Sequence, residues 1–250
     1  MNLQTPRLRM FAGPNGSGKS TIKEVISKEL LGIYINPDEI EKEIQKFDYL
    51  DFDNYEIVTN EEEVLEFFMN STLLKNADML DEAEFLKFND NILDFFEVSV
   101  NSYFASVCAD FIRKKLLESR KSFTFETVMS SYDKIELLQL AQKLGYKTYL
   151  YFVATSDPII NISRVKNRVR FGGHSVPEEK IVSRYYRSLE YLSEAIKYSN
   201  RAYIFDNSNH SRTWIAEITQ AKEIDIKIDK IPAWFNEYVL KKFSQEEFAK

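Results

Sequence analysis

Leu8-Arg-Met-Phe-Ala12, running into Gly13-Pro-Asn-Gly-Ser-Gly-Lys-Ser20, is the stretch from which the fold is read. Its first five residues make an apolar run of the length of a buried strand. Past the glycines, Ile22, Val25, Ile26 and Leu30 recur at helical spacing. A strand, a glycine-rich turn and a helix in that order let consecutive backbone N–H groups face a phosphate. In Gly13-x4-Gly18-Lys19-Ser20 the lysine would reach the terminal phosphates and the serine hydroxyl would join a magnesium shell. The expected nucleotide-binding set is Gly13, Asn15, Gly16, Ser17, Gly18, Lys19, Ser20 and Thr21, with Ser20 as the metal-side residue. ATP or GTP with Mg²⁺ is the ligand this implies.

Working outward, Gly32 closes the first helix, Ile33-Tyr-Ile35 reads as a second strand, and Asn36-Pro37-Asp38-Glu39 opens another helix with Asn at its N-cap. Further strands are expected at Ser122-Phe-Thr-Phe125, Tyr149-Leu-Tyr-Phe-Val153 and Ala202-Tyr-Ile-Phe205. Between them lie helices over about 99–119, 133–144, 158–170 and 178–198. Strands alternating with helices predict an α/β, three-layer P-loop kinase-like fold with a mostly parallel sheet of about five strands. The reading is of one domain over 1–250. Residues 209–250 are read as a C-terminal appendage, with one strand near Ile224–Ile228 and a terminal helix after Pro232.

The stretch from Asp48 to Glu97 differs from the rest. It holds fifteen acidic residues against two lysines, a net charge of −13, so the remainder of the −6 chain carries +7. Interleaved Phe and Leu suggest short amphipathic helices, hence an acidic helical insertion in a mildly basic core. Such a charge disfavours nucleic acid as a partner. Cys108 is the single cysteine and falls in an apolar-periodic run, which predicts a buried thiol and excludes an intrachain disulfide or thiolate cluster. The start of the chain has neither the apolar core of a signal peptide nor a membrane span, and a cytoplasmic protein is expected.

Several side chains are candidates for chemistry. Asp38, just past the second strand at the sheet's C-terminal edge, is placed to accept the proton of an attacking hydroxyl, although it would equally compensate a helix dipole. Glu126, with Thr127 beside it, follows the next strand and would bind a substrate hydroxyl or order Mg²⁺ through water. Arg164, Arg168 and Arg170 share one helix, ahead of Gly172-Gly173, and such a segment would close over phosphates and stabilise transition-state charge. Arg184 and Arg187 are weaker candidates, and His174 reads as a loop-fixing donor. Asp206-Asn207-Ser208 would lie near the nucleotide base or form an Asx turn. Asp157 and Asp206 are the strand-end candidates for a further metal carboxylate.

Phe11-Ala-Gly-Pro-Asn-Gly-Ser-Gly-Lys-Ser20, Tyr34-Ile-Asn-Pro-Asp-Glu39, Phe123-Thr-Phe-Glu-Thr127, Gly172-Gly-His-Ser-Val-Pro177 and Phe205-Asp-Asn-Ser208 together resemble the zeta toxin family, in order, over 7–47 and 99–208. The resemblance implies a kinase that phosphorylates a hydroxyl of a small substrate, a nucleotide sugar such as UDP-N-acetylglucosamine. It further implies Lys19 and Ser20 at the nucleotide and metal, Asp38 as catalytic base and Glu126 as a substrate-site acid, and it admits an antitoxin protein as partner. The family's lid arginines map only loosely onto 164–170. The acidic insertion, lying between Asp38 and Glu126, departs from the family pattern. Rival readings are a P-loop kinase of a nucleoside, nucleic-acid end or other metabolite, and a non-enzymatic nucleotide-binding regulatory module.

Overall fold

Ten strands are defined in a computed structural model that describes residues 5–173 and 175–247. They are β1 (Arg7–Ala12), β2 (Ile33–Ile35), β3 (Tyr49–Asp51), β4 (Lys87–Asn89), β5 (Ile92–Asp94), β6 (Phe123–Thr127), β7 (Lys147–Ala154), β8 (Arg201–Asp206), β9 (Thr213–Thr219) and β10 (Glu223–Ile226). Seven of them form one mostly parallel sheet in the order β10-β9-β8-β7-β1-β6-β2. All five strands expected from the apolar runs are in it. Two more, β9 and β10, extend it antiparallel, each paired to its predecessor. The chain divides into two compact units, one made of 1–31 with 126–250, the other of 32–125.

In the first unit β1 and β7 run parallel, with Leu8, Met10, Phe11 and Ala12 facing Thr148 to Phe152 in register, and β8 runs parallel to β7 on its other side. These strands are near-continuous apolar runs because both faces of a parallel sheet are covered. Leu8, Met10, Phe11, Leu150, Phe152 and Ile204 are fully buried. At roughly 1.5–3 kcal/mol for each large apolar side chain removed from water, this is the main drive for the unit.

The segment after 209, expected as an appendage, is part of the same core. Besides supplying β9 and β10, it buries Trp234, Phe235 and Val239. The indole N–H of Trp234 donates to Asp206 Oδ2 at 2.7 Å, and its ring lies 6.3 Å from that of Phe152.

The helix expected to follow the glycine-rich turn is broken. A tight 3₁₀ stretch covers Lys19–Val25, and a separate single turn of α-helix covers Lys28–Leu31, with Ser27 between them accepting from the Leu30 N–H at 3.0 Å. The apolar spacing was legible; the change in winding was not, because both helix types present nearly the same face over one turn.

In the second unit β2 and β6 pair in parallel, Ile33 to Ile35 against Phe123 to Phe125. The helix Pro37–Phe47 begins as its sequence dictates: Asn36 Oδ1 accepts from the Asp38 N–H at 2.9 Å, and proline fills the first turn. The stretch 48–97, expected to be helical, contains short helices at Glu61–Met69, Thr72–Asn76 and Leu80–Ala83 and also a three-stranded antiparallel sheet, β3-β5-β4. Strands of three residues have no period to detect in sequence.

Its interior is aromatic. Phe52, Phe68 and Phe95 are buried with Phe104 and Phe111 of the helix Ser102–Glu118. The ring pairs Phe52–Phe111 and Phe95–Phe104 lie 5.3 and 6.2 Å apart, within aromatic contact. Most of the acidic side chains stay at the surface, and Glu63 and Glu56 reach Lys115 (2.8 Å) and Lys121 (3.0 Å). Cys108 is buried as expected, and burial pushes its thiol well above the ordinary range.

Candidate functional site

The glycine-rich loop leaves β1 and is built by backbone that only glycine adopts freely. Gly13 (φ 143°) and Gly18 (φ 96°) both lie at positive φ. A Cβ on Gly13 would collide with the Val153 carbonyl, and one on Gly18 would strike the Asn207 side-chain amide. The loop is therefore pressed against the ends of β7 and β8. Asn207 Nδ2 donates to the Ser17 carbonyl at 2.8 Å, and Asn161 Nδ2 donates to the Asn15 carbonyl at 2.6 Å. Asn161 is fully buried and bonded to Thr155 as well, so this support is rigid. Ser17 is fully buried too, and its hydroxyl finds no partner among the described residues.

Lys19 arches over the loop: its ammonium donates to the Gly13 carbonyl at 2.8 Å and the Pro14 carbonyl at 3.0 Å. This holds a cation against the start of the loop. Ser20 Oγ donates to Glu126 Oε2 at 3.3 Å, joining the loop to the C-terminal end of β6. Glu126 is only 7% exposed, so its carboxylate is held within the site and not free in solvent. Thr127 next to it serves the turn, its Oγ1 accepting from the Met129 N–H at 3.1 Å.

Of the arginines, Arg164 and Arg184 come to the loop's surroundings. Arg164 lies one turn beyond Asn161 on the helix Pro158–Arg170 and donates to the Asn209 carbonyl at 3.3 Å, while its other terminal nitrogen is buried and finds no partner among the described residues. Arg184, on the helix Glu178–Glu190, donates to Asn15 Oδ1 at 3.4 Å. Sequence spacing ranked it low because nothing local marks it; its approach comes from the packing of the two helices. Arg168 and Arg170 are exposed, and the Arg168 stem runs beside Gly173 at the helix end. His174 lies outside the described residues.

The two strand-end aspartates are structural. Asp157 caps the helix Pro158–Arg170, accepting from the Ile159 N–H at 2.7 Å. Asp206 divides its oxygens between Trp234 and the Ser208 N–H, at 2.7 and 2.9 Å, which is the Asx-turn reading. Among the described residues no group of three His, Cys, Asp or Glu could hold a metal, and no helix is long and apolar enough to cross a membrane. The donor set that does fit Mg²⁺ is the Ser20 hydroxyl beside the Glu126 carboxylate, two hard oxygens; such a site completes its shell with water and phosphate. Asp38 belongs to the second unit, exposed in the first turn of its helix.

A mostly parallel α/β sheet with this loop at the end of β1 defines a P-loop kinase-like protein. The chain is similar to the zeta toxin family over residues 97–219, which that family's model matches, just under half the chain. The match takes in Glu126 and the arginine helix, while the P-loop and Asp38 precede it.

Among solved structures, the chain is similar to AvrRxo1-ORF1:AvrRxo1-ORF2 with sulphate ions (TM-score 0.53, 15% identity, 95% of this chain and 64% of that one). It is also similar to the same pair with ATP (0.52, 14%, 97% and 64%). A third likeness is to the PezAT chromosomal toxin-antitoxin system of Streptococcus pneumoniae (0.51, 17%, 98% and 85%). These are likenesses of fold. An uncharacterised protein of Haemophilus influenzae is 30% identical over 63 residues, covering 25% of this chain. The match spans 45% of that protein's length.

Proposed function

We propose that this chain is an ATP-dependent kinase that transfers the γ-phosphoryl group to a hydroxyl of a nucleotide sugar such as UDP-N-acetylglucosamine. The observation that carries the reading is the P-loop itself, with the Lys19 ammonium arched across it and Ser20 joined to a buried carboxylate. That constellation serves a nucleoside triphosphate: backbone N–H groups and Lys19 neutralise the phosphates, and Ser20 and Glu126 offer oxygens to Mg²⁺ directly or through water. Mg²⁺ when bound neutralises phosphate charge and orients the terminal phosphoryl group.

In the step itself the acceptor oxygen forms a bond to the γ-phosphorus as the bond from that phosphorus to the β-bridging oxygen breaks, and ADP leaves. The hydroxyl proton passes to the Asp38 carboxylate, which the Asn36 cap holds by its backbone at the start of a helix. Arg164 and Arg184 supply positive charge as the phosphoryl group transfers. The ATP bound by a protein of the same fold supports the choice of nucleotide. The toxin-antitoxin setting of another supports an antitoxin as partner.

The acceptor follows from charge. Asp38 shares its unit with the stretch of net charge −13, which repels a polyanion. A nucleotide sugar carries one diphosphate and offers neutral hydroxyls. The test is a panel of nucleotide sugars, nucleosides and 5′-hydroxyl oligonucleotides incubated with labelled ATP and scored by product mass, with Lys19→Ala as the control. Label on the nucleotide sugar, lost in Lys19→Ala, is expected. Label on oligonucleotides with silent nucleotide sugars would overturn the acceptor, and no transfer to any acceptor would return the chain to a nucleotide-binding module.

A further inference from the structure

We infer that Arg212 is a nucleotide-positioning residue, holding the phosphate nearest the ribose, so that the loop between β8 and β9 is part of the nucleotide site. The inference rests on the ATP-binding reading above. Arg212 stands one residue before β9, and its Nη1 donates to Thr21 Oγ1 at 2.6 Å. Thr21 passes the bond on, its Oγ1 donating to the Gly18 carbonyl at 2.8 Å. The same loop donates from Asn207 Nδ2 to the Ser17 carbonyl. Segment 206–212 thus grips the second half of the P-loop at both Ser17 and Thr21.

The chemistry of Arg212 exceeds what a clamp needs. A guanidinium has five N–H donors and stays charged at any working pH. Here it meets one hydroxyl and the face of Phe205, 5.6 Å from the ring centroid, and among the described residues no carboxylate pairs with it. A half-buried cation with donors to spare, fixed beside a phosphate-binding loop, suits an anion.

Which anion follows from the placement of the two cations. Lys19 turns toward Gly13 and Pro14 at the start of the loop, whereas Arg212 sits on Thr21 at its end. With Lys19 serving the β- and γ-phosphates, the phosphate left for Arg212 is the α-phosphate, which ATP and ADP both carry. Phe205 beneath the guanidinium restricts its sweep.

The experiment compares wild type, Arg212→Ala, Arg212→Lys and Lys19→Ala by calorimetric titration with ATP and with ADP, by steady-state kinetics and by thermal unfolding. Arg212→Ala is expected to weaken ATP and ADP alike by about tenfold and raise KM for ATP to match, leaving kcat at saturating ATP within about twofold. Arg212→Lys should fall between, since it keeps the charge and loses the fork. Unchanged affinities with a lowered Tm or kcat would make Arg212 a structural clamp and overturn the inference. If wild type binds ATP and only Lys19→Ala loses it, the Arg212 inference alone falls; if wild type binds neither nucleotide, the kinase reading falls and this inference with it.

Discussion

Ser20 and Glu126, 106 residues apart in sequence, meet through a 3.3 Å hydrogen bond in which the serine hydroxyl donates to the carboxylate. A carboxylate so placed acts on whatever Ser20 holds. Glu126→Gln keeps the shape and removes the charge, and it should raise the Mg²⁺ concentration for half-maximal turnover by roughly 10-fold or more, the scale of losing an outer-shell metal partner. Turnover measured across a Mg²⁺ series at saturating ATP checks this. A raised KM for the acceptor with an unchanged Mg²⁺ profile would assign Glu126 to the substrate.

Asp38 carries the proton in the proposed step. Asp38→Asn should leave ATP affinity near normal and lower kcat by on the order of 10²-fold or more, the scale of general-base loss. The N-cap bond from the Asp38 backbone to Asn36 does not involve the altered side chain, so the helix is retained. A collapse of ATP affinity with substantial residual turnover would make Asp38 a metal or structural residue.

The arginines separate by position. Arg164→Ala and Arg184→Ala should depress kcat by about 10-fold or more with little change in nucleotide affinity, whereas the exposed Arg168 and Arg170 should tolerate alanine better. Single-turnover rates with titrated ATP affinity distinguish the four. Wild-type rates in Arg164→Ala and Arg184→Ala would return both to a structural role.

Alkaline pH should destabilise the fold. Burial raises Cys108, Tyr55 and Tyr185 well above their ordinary ranges and Tyr151 to about 12. The unfolded chain loses these protons near the ordinary values of about 8.5 for Cys and about 10 for Tyr while the native protein keeps them. Their stabilisation is therefore full below those values and lost as pH rises past them, by about 1.4 kcal/mol per pH unit for each group so split. Thermal unfolding followed from pH 8 to 11 should show Tm falling from about pH 9, with the first part of the fall missing in Cys108→Ala. A flat Tm to pH 11 would contradict the burial argument.

Much of the fold was legible because its signals are local. The P-loop, the Asn36-Pro37 helix start and the five apolar strands each declare themselves within about ten residues. β9 did not, since a half-exposed strand such as Thr213–Thr219 takes its identity from pairing with β8, whereas β10 falls at the strand expected near Ile224–Ile228. The three-residue strands inside the acidic stretch are likewise defined by partners alone. In the site, the loop residues and Glu126 were candidates by position alone, whereas Arg184 was ranked low and Arg212 was not singled out.

What the sequence determined by itself is the glycine-rich P-loop, the α/β class and the burial of Cys108, because backbone freedom at glycine, apolar periodicity and thiol hydrophobicity act over short spans. Tertiary structure alone decided which distant groups face that loop. Glu126 reaches Ser20 across 106 residues and Arg212 reaches Thr21 across 191, and both contacts exist because a parallel sheet brings the ends of strands far apart in sequence to one edge.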